Sequence, residues 1–125
     1  MKVTSEKNAK IEKMTFASVY PHYVNKIEKK GRTIHELHKI INWLTGFDEG
    51  QLQNMNDQKV TFKTFFKKAN IHPNACHIKG VICGYRIEDI DDEFAVYKQC
   101  RYLDKLVDEL AKGHDINLIM ERLNS

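Results

Sequence analysis

The chain has 125 residues, 42% hydrophobic and 30% charged, with a net charge of +3 from 20 basic and 17 acidic side chains. That length fits one domain able to bury its own core, and the composition excludes a disordered chain. So small an imbalance argues against a committed nucleic-acid binder, which concentrates positive charge far more.

Two prolines and six glycines favour long helices over many tight turns. Residues 1–32 hold eight Lys or Arg against three Glu, whereas residues 86–109 hold eight acids against four bases. Intramolecular complementarity and solvated faces account for that asymmetry. The N-terminal MKVTSEKNAKIEKM has no apolar run of a leader peptide, and no stretch approaches a membrane span. Cys76, Cys83 and Cys100 lack disulfide-framework spacing. A cytoplasmic location, reduced thiols and no membrane partner are expected.

Residues 1–13 are polar and Lys-rich and are expected to be a flexible basic lead-in; residues 14–125 form a single helical domain. Phe16, Val19, Tyr20, Tyr23, Val24 and Ile27 mark one helical stripe. Pro21 is tolerable if the regular helix starts about there, and Gly31 ends it. Thr33 and Glu36 form a capping box ahead of Ile34, Leu37, Ile40, Ile41 and Leu44, and Gly46 suits the C-terminal cap. This predicts a helix over 34–45. Asp48 and Gln51 start a short helix with Leu52 and Met55 inward. A further helix over 60–69 buries Phe62, Phe65 and Phe66 and exposes Lys59, Lys63 and Lys67.

Residues 75–88 fit a helix through Ile78, Val81, Ile82 and Tyr85, although Gly80 and Gly84 each weaken it by about 1 kcal/mol. The competing reading is a strand at VICGYRI. The acidic run Glu88–Glu93 complements the dipole of the strongest helix, which buries Val96, Cys100, Leu103, Leu106, Val107 and Leu110. Asp115 caps a final helix through Ile116, Ile119, Met120 and Leu123. The expected fold is all-α, a single domain of five to six helices, with an α+β arrangement carrying a small hairpin near 78–88 as the alternative.

The blocks FASVYPHYV, KKGRT, WLTGF, IKGVICGYRIEDI and RYLDKLVDELAKG, in that order, resemble the small bacterial proteins of the domain-of-unknown-function family 2200. The resemblance spans about residues 14–123; the loop DIDDEFAVYKQC departs from the family's usual entry to the last long helix. It implies one domain and brings no catalytic residue, cofactor or partner.

The motifs for chemistry are weak. Cys76 and Cys83 do not have zinc-knuckle spacing, and His77, next to Cys76, would point about 100° away on a helix. His35 and His38 read H-E-L-H, which is not the zinc-protease spacing. The acidic run lacks the glycine and distal Glu of a calcium loop. No metal or cofactor is expected. The helix after Asp48 would be the DNA-reading element of a helix-turn-helix, but it carries no Lys or Arg and would be repelled by phosphate. A basic face of Lys59, Lys63 and Lys67, joined by Lys29, Lys30 and Arg32, is the surviving nucleic-acid surface. Tyr20, His22, Tyr23, Trp43 and Phe47 are the candidate interaction surface, since aromatics are enriched at hot spots. The favoured expectation is a non-enzymatic helical module that binds a protein partner or itself. A nucleic-acid-associated protein is second, and an enzyme with a reactive Cys or His third.

Overall fold

The computed structural model describes residues 3–124. Its α-helices are α1 (Ser5–Lys13), α2 (Phe16–Glu28), α3 (Ile34–Thr45), α4 (Glu49–Asp57), α5 (Phe62–Lys68), α6 (Ala95–Ala111) and α7 (Ile116–Leu123). Strands β1 (Val81–Ile82) and β2 (Tyr85–Arg86) form an antiparallel hairpin, pairing Val81 with Arg86 and Ile82 with Tyr85. Single 3-10 turns occupy Pro73–His77, Ile87–Asp89 and Asp92–Phe94.

Short polar side chains start the helices. Thr4, Thr15, Thr33, Asp48, Thr61 and Asp115 each accept from a first-turn amide, satisfying donors that have no intrahelical partner. The capping box read at Thr33/Glu36 is complete, and Asp48/Gln51, read as a helix start, forms a second. Helix α6 is the exception. Its N-cap, Phe94, offers no side-chain oxygen. Asn8 of α1 substitutes, its Oδ1 accepting from the Tyr97 amide at 3.0 Å.

Helix α6 is the axis of the fold and packs against α1, α2, α3 and α5. Leu103, Leu106 and Leu110 are fully enclosed, as the stripe predicts. Around the start of α5, Phe65 stacks on Phe16 at 4.7 Å and meets Phe47, Phe62 and Phe66 edge-on. The starts of α2 and α5 lie side by side through the Thr15–Thr61 bridge, where Phe62 N–H donates to the Met14 carbonyl at 2.7 Å.

Helix α3 ends at Gly46, φ 74°. Residues beyond α5 run back across that end, and the Asn70 and His72 amides donate to the Thr45 and Leu44 carbonyls. A Cβ on Gly46 would stand 3.1 Å from the Asn70 carbonyl oxygen. Gly46→Ala combines left-handed strain with that clash and is expected to destabilise the fold by about 1–3 kcal/mol. An unchanged urea midpoint would contradict this.

Three expectations change. The 1–13 lead-in is helical from Ser5 to Lys13, because Thr4 caps it and Ile11 packs on the core. Helix α2 begins at Phe16, five residues before Pro21, so Pro21 lies inside the helix and the Ala17 carbonyl lacks its usual amide. Residues 75–88 are not a helix. They form a 3-10 turn and then the small hairpin of the alternative reading, because Cys83 (φ 54°) and Gly84 (φ 81°) both adopt the left-handed turn that joins two strands through a two-residue loop.

Candidate functional site

The structure gathers polar groups in three places. The first is on α6, around Arg101. Its guanidinium donates to Asp104 Oδ2, to the Tyr97 hydroxyl at 3.1 Å and to Cys83 Sγ at 3.5 Å. It also lies over the Tyr97 ring, 4.6 Å from the centroid. Asp104 Oδ1 accepts from the buried Tyr23 hydroxyl at 2.6 Å. Tyr97 meets Tyr85 edge-on, and the Tyr85 hydroxyl accepts from Lys7 Nζ at 2.6 Å. Burial opposes the Arg101 charge, but its bonds to Tyr97 and Asp104 outweigh burial and hold the cation firmly protonated. Tyr23, Cys83, Tyr85, Arg101 and Asp104 all fall in sequence blocks that carry the family resemblance, so three distant blocks meet here.

Burial, followed by the Asp104 charge, pushes both the Tyr23 hydroxyl and the Cys100 thiol well above their ordinary values of 10.0 and 9.0. Both groups stay protonated in the folded chain at pH values where the unfolded chain ionises. Their contribution is therefore complete below pH 9.0 and declines as pH rises past 9.0 for Cys100 and 10.0 for Tyr23. The slope approaches about 1.4 kcal/mol per pH unit for each group. Denaturation between neutral pH and pH 10.5, about half a unit past the tyrosine value, should show this fall. Tyr23→Phe and Cys100→Ala should each flatten it; parallel profiles for all three proteins would sink the assignment.

The second place joins α2, α3 and α4. His38 Nδ1 meets Glu49 Oε2 at 2.8 Å, and His38 Nε2 meets the Tyr20 hydroxyl. Glu49 also accepts from Asn42 at 2.9 Å. The His38 bond, opposed by partial burial, lowers Glu49 below the usual carboxylate value. An ionised Glu49 places the imidazole proton on Nδ1 and leaves Nε2 to accept from Tyr20. Hydroxyl, imidazole and carboxylate thus stand in the order of a nucleophile relay. Burial raises Tyr20, however, the reverse of an activated nucleophile. The adjoining cavity is about 40 Å³, room for a few waters. The line acts as a clamp between three helices.

The third place is the lysine face. Lys59, Lys63 and Lys67 are exposed. Lys13 of α1 and Lys63 of α5 line one groove of about 320 Å³, together with Glu12; Lys10 lies one turn from Lys13. Among the described residues, none of these lysines stands within ion-pair distance of a carboxylate; the ion pairs fall on other elements. Lys29, Lys30 and Arg32 do not join this face. They follow the far end of α2, about 20 Å along its axis. Arg32 is occupied by the Leu110 and His114 carbonyls and by Glu36.

The aromatic candidates divide. Tyr23 and Phe47 are core residues, 8% and 6% exposed. Tyr20 is committed to His38. Trp43 is half-buried, stacked on His72 at 4.3 Å, with Nε1 donating to Asn124 at 3.2 Å. Only His22 is openly exposed. Their joint surface therefore does not form, because the helical stripe that named Tyr23 also turned it inward. Sequence reasoning missed Lys10 and Lys13, whose signal was the i, i+3 spacing within the lead-in. It also missed Arg101 and Asp104, whose partners are remote in sequence. No group of three or more His, Cys, Asp or Glu suited to a metal ion occurs among the described residues, and no helix among them is long and apolar enough to cross a membrane.

Residues 10–121 match the family described as "Uncharacterized protein conserved in bacteria (DUF2200)". A solved structure titled "Crystal structure of uncharacterized protein SP1917" is similar at 38% identity and a TM-score of 0.85, covering 93% of this chain and 94% of that one. No curated protein matches. By the family match and by a relative of this identity and coverage, the chain belongs to the bacterial DUF2200 family.

Proposed function

We propose that this protein is a non-enzymatic helical interaction module of the bacterial cytoplasm, and that its working surface is the α1–α5 lysine face, bound to a nucleic-acid backbone without sequence preference. The carrying observation is the segregation of charge. Among the described residues Lys10, Lys13, Lys59, Lys63 and Lys67 are exposed, stand in no ion pair and fall on α1, on α5 and just before α5, with Lys13 and Lys63 lining one groove, whereas the other unpaired lysines, such as Lys29, Lys30 and Lys105, are spread over other elements. The small net charge of the whole chain thus conceals a local positive field that phosphates can use. Fluorescence anisotropy with single-stranded and duplex DNA tests this. Binding should weaken steeply with salt, by about 0.7–0.9 logarithmic units per tenfold salt for each phosphate contact. Lys63→Glu with Lys67→Glu should abolish it, and Lys29→Glu with Lys30→Glu should leave it intact. Absence of binding at low salt, or indifference to reversal at 63 and 67, would overturn the reading.

A protein partner is the second reading, favoured by the exposed apolar side chains of Ile34 and Leu118. Material captured from lysate that resists both nuclease and high salt, and is lost in Leu118→Glu, would move that reading to first place.

A further inference from the structure

Between the Pro73–His77 turn and the start of α6 lies a cavity of about 360 Å³, a size suited to a small molecule. Ile71, Pro73 and Ala75 give it an apolar wall, and Cys76, Lys98 and Tyr102 give it polar groups. Its back is stiffened by the His72 ring stacked on Trp43, and the Asn74 amide donates to His72 Nδ1 at 3.0 Å.

Two features point to what the cavity takes. Tyr102 is 9% exposed as a residue and lines the space. Its hydroxyl is not among the buried oxygens left without a partner, so it opens to the cavity and can meet a ligand there. Burial raises it, so it keeps its proton and can donate. Lys98 carries the second donor. Its side chain is 18% exposed, and its Nζ stands 3.0 Å from Asp92 Oδ1. Asp92 itself is 94% exposed, so this carboxylate reaches in from solvent and is held loosely. The chain thus places a carboxylate of its own at the ammonium, in the same cavity as the Tyr102 phenol. One cation and one neutral donor match a single negative charge better than a doubly charged phosphate.

We propose that this cavity binds a small organic carboxylate, which displaces Asp92 from Lys98, bonds the Tyr102 hydroxyl and lays its apolar body against Ile71 and Pro73. The site is separate from the lysine face and does not depend on it.

Benzoate is the probe, and benzamide, of similar shape but uncharged, is the control. Amide shifts at Ala75, Cys76 and Lys98 should saturate with a Kd of about 1 mM, typical for so few atoms. Benzamide should bind about tenfold more weakly or not at all. Lys98→Met should abolish binding, and Tyr102→Phe should weaken it about tenfold. Asp92→Ala should strengthen binding, since it removes the competing carboxylate; a merely structural role for the pair would not produce that sign. Cys76 supplies an independent readout. Bound benzoate should slow its alkylation by iodoacetamide several-fold and leave Cys83, outside the cavity, unchanged. Unsaturated shifts, equal binding of benzoate and benzamide, or equal slowing at both cysteines would overturn the proposal.

Discussion

Phe65→Ala should cost about 3–5 kcal/mol, because removing this ring opens a cavity that four other rings cannot close. Phe65 is fully buried. It touches Phe16 of α2, Phe47 before α4, and Phe62 and Phe66 of its own helix. The Phe16 and Phe62 amides are fixed by backbone bonds to Val60 and Met14, so the walls of the cavity cannot slide inward. Thermal unfolding should occur about 10–20 °C lower. The control is Phe94→Ala. Phe94 is half-buried at the edge of the smaller cluster with Tyr85, Ile90 and Tyr97, and its loss should cost much less. Equal losses at the two positions would mean that the five-ring cluster is not the centre of the core.

The second large effect is at Asp104. Asp104→Ala strips the carboxylate from Arg101, whose side chain is only 16% exposed, and leaves the buried Tyr23 hydroxyl without its acceptor. Stranding a mostly buried cation costs about 3–5 kcal/mol when burial is complete, so about 2–4 kcal/mol is expected here, where both partners retain some solvent. Tyr23→Phe removes one neutral donor and should cost about 1 kcal/mol. Asp104→Asn keeps an acceptor for Tyr23 but not the charge, and should fall between them. Urea denaturation of these variants gives the ranking. Arg101→Met combined with Asp104→Leu should recover much of the loss, since a buried pair replaced by apolar side chains is often tolerated. A double variant as unstable as the sum of its parts would show that the pair acts independently of its charge.

The helices were legible wherever a cap and a stripe coincided. Thr33, Glu36, Ile34 to Leu44 and Gly46 place α3 at its observed bounds, and the apolar spacing of α6 gives its buried face. Residues 75–88 were less legible because each strand is two residues long, too short for alternation to separate from a helical stripe. The deciding feature there is the pair of left-handed residues, Cys83 and Gly84, and a cysteine in that conformation leaves no signature in composition. The lysines of α5 were readable from their four-residue spacing. Their extension by Lys10 and Lys13 was not, because nothing local shows that α1 docks beside α5. The Arg101 centre was hidden for the same reason. Its i, i+3 pair with Asp104 is local, but Tyr23 and Cys83 arrive from other elements.

Helix α1 encloses none of its own residues fully, yet it supplies the missing cap of α6 through Asn8 and holds Tyr85 through Lys7. An element that buries none of its side chains fully opens at lower free energy than the core it covers. The amides of α1 should therefore exchange with deuterium well before those of α3 or the middle of α6, and the first turn of α6 should lose protection with them as one cooperative unit. If α1 were protected as strongly as α3, this partition would be wrong. Because Lys10 and Lys13 travel with α1, a polyanion seated across α1 and α5 would also act as a latch, slowing that early exchange and, since its seat exists only in the folded chain, raising the stability of the whole with it.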